Sequence, residues 1–166
     1  LLNLNNSKTI QRFIIFGAGG VGKAVASTLS IEFHNVSEII WLSRNLKNMI
    51  PLKGVENSTY EKYKLQNNNS ITCLINCTSL GDYTNTQNSI VDSESIALKI
   101  IENYKIESFF DCIHTPSKTK LLKLLESKCK TSNGIDMNIF QAVYGYNNVH
   151  NDSFEKILST MKKYAE

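Results

Sequence analysis

A continuous apolar stretch runs directly into a glycine cluster, and that junction limits the fold more than any other feature of the sequence. Arg12 to Phe16 reads Arg-Phe-Ile-Ile-Phe, the length and pattern of a strand buried on both faces. Gly17-Ala-Gly-Gly-Val-Gly22 follows, and then Lys23-Ala-Val-Ala-Ser-Thr-Leu29, small-residued and apolar at Val25, Ala26 and Leu29. The latter pattern predicts a helix laid closely on a sheet. In Gly17-x-Gly19-x-x-Gly22 the first glycine permits a tight turn and the second lets backbone approach a pyrophosphate. The third lets helix pack on strand, while the helix N-terminus offers free N–H groups to phosphates. The spacing fits a dinucleotide site. It also fits a methyl-donor site of similar architecture or an incidental turn, so later residues must decide.

The rest of the chain repeats the alternation. Ser37 to Leu42 predicts a second strand, ending at Ser43-Arg44-Asn45; Leu46 to Leu52 holds a short helix broken by Pro51 and Gly54. Glu56 to Gln66 fits an amphipathic turn or a short strand equally, and Asn67 to Ser70 is a polar loop. Ile71 to Asn76 is a buried strand with Cys77 to Gly81 as its exit loop, and Asp82 to Asn88 is polar surface. Helices are predicted over Ser93–Asn103, Thr119–Lys128, Met137–Tyr146 and Ser153–Tyr164, with strands at Ser108–Ile113 and Cys129–Ser132. Such alternation predicts an α/β, Rossmann-like, doubly wound fold with a mainly parallel sheet and helices on both faces. At 166 residues the chain is one domain, 1–166.

Composition excludes several classes. With 42% hydrophobic residues and only 2 prolines, disorder and collagen-like repeats are out. No apolar run approaches membrane-spanning length. The +3 charge is spread out, with no basic face interleaved with aromatics, so no nucleic-acid or membrane partner is expected. Cys73 and Cys77, four apart in a strand, fit small packing residues on one face better than metal ligands. No metal site and no structural disulfide are expected, and the location is expected to be reducing and cytoplasmic. The chain begins Leu1-Leu2-Asn3 without Met, and so is expected to be a piece of a longer polypeptide.

The end of the second strand sets the cofactor type. An NAD site places Asp or Glu there for the ribose hydroxyls, whereas a 2′-phosphate needs cations. Ser43-Arg44-Asn45-Leu-Lys47-Asn48 contains no acid. Arg44 offers a planar fork to a phosphate and a face to an adenine; the alternative is an ordinary surface arginine, and its position favours the phosphate. NADP is the expected cofactor.

Five segments in order then resemble the shikimate dehydrogenase family. They are Gly17-Ala-Gly-Gly-Val21, Ser43-Arg44-Asn45, Asn76-Cys-Thr-Ser-Leu-Gly81, Asp111-Cys-Ile-His-Thr-Pro-Ser-Lys-Thr119 and Gly134-Ile-Asp-Met137-Asn-Ile-Phe-Gln141. They are similar to that family's Gly-Ala-Gly-Gly loop, Asn-Arg-Thr turn, Asn-Ala-Thr-x-x-Gly loop, Asp-x-x-Tyr-x-Pro-x-x-Thr segment and Gly-x-x-Met-x-x-x-Gln helix start. Together they span nearly the whole chain and resemble only the C-terminal, NADP-binding half of such an enzyme.

The resemblance implies pyrophosphate contacts at Gly17, Ala18, Gly19, Gly20 and Val21. It implies adenosine-phosphate contacts at Ser43, Arg44, Asn45, Lys47 and Asn48. Asn76, Thr78 and Leu80 would lie beside the nicotinamide ribose. Cys112 and Gly134 would touch the nicotinamide end through backbone, Met137 would pack on its ring, and Gln141 would bond substrate hydroxyls. Read from the residues alone, Met137 fits a core position as well, Gln141 an exposed amide, and Asn76 a loop brace. His114 stands where the family has a substrate-reaching Tyr, and bonding to nearby backbone would suit it equally. No catalytic residue is assigned within the chain, because the family's acid–base Lys and Asp belong to an upstream domain. The complete enzyme would reduce 3-dehydroshikimate to shikimate with NADPH, and this chain alone would bind cofactor without turnover. A non-catalytic nucleotide-binding module and a quinate-type dehydrogenase are the alternatives. Oligomeric state is left open.

Overall fold

The computed structural model describes residues 10–33, 36–66, 69–150 and 152–163. Asn67 and Asn68 of the expected polar loop, and Tyr164 at the expected end of the last helix, lie outside the described residues. Six strands form one sheet: β1 (Arg12–Phe16), β2 (Glu38–Ser43), β3 (Val55–Thr59), β4 (Thr72–Asn76), β5 (Ile106–Asp111) and β6 (Lys130–Ser132). Their spatial order is β3-β2-β1-β4-β5-β6, and every pairing is parallel. The expected α/β doubly wound architecture is what forms. The order runs outward from β1 in one direction and from β4 in the other, so the crevice at their carboxyl ends is the topological switch point where such sheets bind ligands.

Burial on both faces explains the near-continuous apolar runs. Ile14, Phe16, Ile40, Leu42, Leu74 and Phe109 point to one side, covered by α3 (Ser95–Asn103) and α4 (Lys120–Leu125) through Ala97, Ile100, Leu121 and Leu125. Phe13, Ile15, Ile39, Trp41, Cys73 and Ile75 point to the other, under α1 (Gly20–Glu32) with its Ala26 and Leu29. Cys73 and Cys77 share that second side. Fully burying a Phe, Ile or Leu side chain contributes about 1.5–3 kcal/mol, so these two layers hold the sheet.

Several segments differ in detail from the sequence expectation. The undecided stretch after Gly54 forms β3, an edge strand only half buried, which is why Val-Glu-Asn-Ser-Thr lacks a strand-like apolar pattern. The expected helix over 93–103 is two pieces, α2 (Ile90–Ser93) and α3, separated at Glu94, whose extended backbone interrupts the helix. The helix expected over 137–146 is longer: α5 spans Ile135–His150 and packs against α6 (Phe154–Lys163). Phe154 sits against the rings of Phe140 and Tyr144 at that junction, with centroids at 6.5 and 4.9 Å. Among the described residues no helix is long and apolar enough to cross a membrane.

Candidate functional site

Two glycines make the β1–α1 connection possible, for different reasons. Gly17 has φ +97°, in the left-handed region, and a Cβ there would lie 2.8 Å from the Cys77 carbonyl oxygen. A Cβ on Gly22 would lie 2.1 Å from the Gly17 carbonyl oxygen. That oxygen is itself held by the Trp41 indole N–H, which donates to it at 2.8 Å. The start of α1 is thereby wedged against β1 and β4.

Gly19 and Gly20 are exposed, and a Cβ on either meets nothing within 4 Å. Gly19 caps α1 with no side-chain hydrogen bond, and the first turn carries no acidic residue. The leading N–H groups of α1 thus have no side-chain cap, and the positive end of the helix dipole lies behind them. That is an anion-binding arrangement.

A cleft of about 370 Å³ opens there. It brings together Gly17, Ala18, Gly19, Ser43, Arg44, Asn45, Asn48, Thr78 and Leu80 from three loops far apart in sequence. The β2 exit is a self-bonded turn: the Ser43 hydroxyl donates to the Asn45 carbonyl at 2.8 Å, and the Asn45 side chain accepts from the Lys47 N–H at 2.9 Å. With Ser43 and Asn45 so occupied, Arg44 is left exposed on the cleft, and no ion pair to a described residue ties it down. Gly20, Val21 and Lys47 are exposed beside the cleft rather than lining it.

Asn76 is fully buried, with both its side-chain nitrogen and its oxygen hydrogen-bonded. Its amide donates to Asp111 at 3.0 Å, and its oxygen accepts from the Thr78 N–H at 3.1 Å and the Thr78 hydroxyl at 2.7 Å. Asp111 in turn accepts from the Thr119 hydroxyl at 2.6 Å and the Ile113 N–H at 3.2 Å. Thr119 also caps α4, accepting from the Leu122 N–H at 3.1 Å. This cage ties the exits of β4 and β5 to each other and to α4. Sequence reading quoted Asp111 and Thr119 as the two ends of one segment without pairing them; they meet across the β5–α4 connection, eight residues apart.

Burial raises the Asp111 carboxyl above its ordinary range, against the hydrogen bonds from Thr119, Ile113 and Asn76 that favour its charged form. Since the folded value exceeds the unfolded one, the folded state binds more protons at intermediate pH. The stabilising contribution of Asp111 is thus complete below the unfolded carboxylate value and is lost as pH rises through the folded value. Asp111→Asn is expected to flatten the stability–pH curve just above the ordinary carboxylate range, measured as urea midpoints against pH. An unchanged slope would mean the carboxyl titrates like an exposed one.

Cys112 and Gly134 meet at the far side of β5. The Gly134 N–H donates to the Ile113 carbonyl at 3.0 Å, and a Cβ on Gly134 would lie 2.2 Å from the Cys112 carbonyl oxygen. Met137 is half-buried, with Gln141 one turn beyond it on α5 and exposed. His114 is also exposed. None of these five lines the cleft around Arg44. Tyr60, Ser93 and Glu94 do, and sequence reading missed them. Glu94 comes from the α2–α3 junction, and burial, with Glu94 adding to it, pushes the Tyr60 hydroxyl up. Among the described residues no group of three or more His, Cys, Asp or Glu side chains is placed to hold a metal.

Comparison with known proteins adds ancestry to this geometry. No family model matches the chain. Two proteins named shikimate dehydrogenase (NADP(+)) do, from Alkaliphilus oremlandii (33% identical over 152 residues) and Alkaliphilus metalliredigens (33% over 148 residues). Each match covers 82% of this chain and 49% of the relative. Over that 82% the chain is similar to shikimate dehydrogenases. It spans about half the length of the curated relatives it matches. Among solved structures, a chorismate mutase/shikimate 5-dehydrogenase fusion protein from Clostridium acetobutylicum superposes with a TM-score of 0.67 at 26% identity, over 95% of this chain and 55% of that one. The shikimate dehydrogenase of Mycobacterium tuberculosis shares the fold, with a TM-score of 0.58 at 15% identity.

Proposed function

We propose that this chain is the NADP-binding unit of a shikimate dehydrogenase-type oxidoreductase. The observation that carries the reading is the uncapped N-terminus of α1, facing the same cleft as an exposed arginine at the end of β2. The residues present fit a phosphorylated dinucleotide. Gly17, Gly19 and the first N–H groups of α1 would take the pyrophosphate, and Arg44 with Asn48 the adenosine 2′-phosphate, with Lys47 adding positive charge. Thr78 and Leu80 would follow the chain of the cofactor toward Cys112, Gly134 and Met137. The nicotinamide, when bound, supplies the hydride; the protein binds it, orients it and shields it. In this reading a second domain contributes the acid–base groups that handle the substrate hydroxyl proton. The testing experiment is a titration of the chain with NADPH and with NADH, followed by fluorescence. Equal affinity for the two would remove the 2′-phosphate assignment, and no binding of either would leave a helix terminus without a ligand.

The substrate side follows from α5. Gln141 and Met137 are one helical turn apart, so one face of the helix can present both to the same ligand. In a two-domain enzyme Gln141→Ala is expected to weaken binding of shikimate by about 1–3 kcal/mol, the cost of an unmade hydrogen bond to a buried hydroxyl. NADPH affinity should hold constant. A variant with unchanged kcat and KM for shikimate would return Gln141 to the role of an ordinary surface amide.

A further inference from the structure

Cys77 and Cys112 are the first residues beyond the last register pair of β4 and β5, Asn76 opposite Asp111. Each is fixed by its backbone: the Cys77 N–H donates to the Phe16 carbonyl at 2.8 Å and the Cys112 N–H to the Asn76 carbonyl at 2.9 Å. Their sulfurs lie 3.6 Å apart. Neighbouring strands run about 4.8 Å apart, inside the roughly 4.4–6.8 Å between α-carbons that a disulfide accepts. Closing the sulfurs to about 2.05 Å asks for side-chain rotation rather than strand movement. Both residues are partly exposed, whereas Cys73 is fully buried and Cys129 precedes β6 at the opposite end of the sheet.

We propose that Cys77 and Cys112 form a reversible redox-modification site, closed to an intramolecular disulfide by a low-molecular-weight disulfide such as oxidised glutathione, and that closure weakens dinucleotide binding at the neighbouring glycine turn. The Cys112 sulfur attacks one sulfur of oxidised glutathione, breaking that S–S bond and releasing one glutathione thiol. Cys77 then attacks the Cys112 sulfur of the mixed disulfide and releases the second. Two electrons pass from the protein dithiol to glutathione disulfide, and the two thiol protons end on the two reduced glutathiones. The hydrogen bond to Cys112 and burial raise the Cys77 thiol, so Cys77 is assigned the second step, within the protein, rather than the first attack on the external disulfide.

The coupling to ligand binding is steric. The Cys77 carbonyl oxygen packs so closely on Gly17 that a Cβ there would stand at 2.8 Å, and the Cys77 Cβ would be 3.5 Å from a Cβ on Gly22. The Cys112 carbonyl bears on Gly134 in the same way, at 2.2 Å. With the strand ends held by the Asn76–Asp111 bond immediately before them, closure is taken up by the side chains, and the Cys77 side chain that rotates is the one packed beside Gly22 at the start of α1. This second half of the proposal rests on the cofactor assignment above; the disulfide itself does not.

The chain is incubated with oxidised glutathione, alkylated, digested and mapped, and NADPH is titrated into the oxidised and the dithiothreitol-reduced protein. The expected result is a Cys77–Cys112 linkage and NADPH binding about tenfold weaker when oxidised, an ordinary size for coupling between sites. Reduction should restore it. Cys129→Ser should keep the full response, and Cys77→Ala should abolish the difference between the two conditions. Cys77 and Cys112 both recovered as free thiols after oxidation, or glutathione retained on Cys112 without ring closure, overturns the site. A mapped disulfide with unchanged NADPH affinity overturns the coupling. Reduced protein that does not bind NADPH counts against the cofactor assignment instead, and the map still decides the dithiol.

Discussion

Gly22→Ala should cost the protein much of its stability while Gly19→Ala should cost almost none, although the two glycines are three residues apart in one loop. A methyl group on Gly22 would stand 2.1 Å from the Gly17 carbonyl oxygen and 3.0 Å from its carbon. Those are backbone atoms, and the oxygen is pinned by Trp41, so the loop must move as a body or α1 must lift off the sheet. Overpacking against atoms that cannot yield costs typically 1–3 kcal/mol and occasionally more. For a chain of this size each kcal/mol corresponds to about 2–4 °C in melting temperature, so a loss of roughly 6–12 °C is expected at the upper end. At Gly19 an added methyl meets nothing within 4 Å, and the melting temperature should stay within the spread of surface substitutions, about 0.5 kcal/mol. The loss there falls on the ligand, because the methyl occupies the space through which a phosphate reaches the N–H groups of α1. NADPH affinity should fall at least about tenfold, or some 1.4 kcal/mol. Thermal melts and NADPH titrations of both variants check the pair. A Gly19→Ala protein that binds as tightly as the parent would show that no phosphate rests on that turn.

Arg44→Asp should erase a preference for NADPH over NADH while leaving the fold intact. The side chain is exposed and outside any ion pair with a described residue, so its removal disturbs no packing. A charged hydrogen bond to a phosphate contributes about 1.5–3 kcal/mol, or roughly 10- to 150-fold in affinity. Aspartate removes the cation and supplies the acceptor pair that ribose hydroxyls use in NAD sites. NADPH binding should therefore drop by that range, with NADH binding held or improved. Glu94 sharpens the experiment, since it already places one carboxylate in the cleft from the other side. If the variant still prefers NADPH, Asn48 and Lys47 carry the phosphate without Arg44.

The strands of the interior were legible because a parallel sheet covered on both faces demands unbroken apolar runs, and β1, β2, β4 and β5 supply them. Strand β3 was not, since an edge strand half-covered on each side has no reason to be apolar at any fixed spacing. The length of α5 escaped for another reason. Gly145, Asn147 and Asn148 discourage helix locally, yet the helix runs on to His150, whose ring stacks on Tyr146 at 4.2 Å, and its Tyr144 packs on Phe154 of α6. Within the cleft, the glycine turn and the β2 exit could be read because each is contiguous in sequence. Tyr60, Glu94 and the Asn76–Asp111 bond could not, because each depends on elements far apart in sequence coming together.

Trp41 gives the loop a built-in optical reporter. It is the single tryptophan of the chain, fully buried, with its indole N–H bonded to the carbonyl of Gly17. Any ligand, substitution or oxidation that shifts the Gly17 turn changes the polarity and hydrogen bonding of that one chromophore. Its emission therefore follows the state of the cleft without a label, against a background of tyrosines that can be left unexcited. Loop opening and dinucleotide arrival can be timed separately by the same lamp: the first from the colour of the emission, the second from its quenching by a reduced nicotinamide ring.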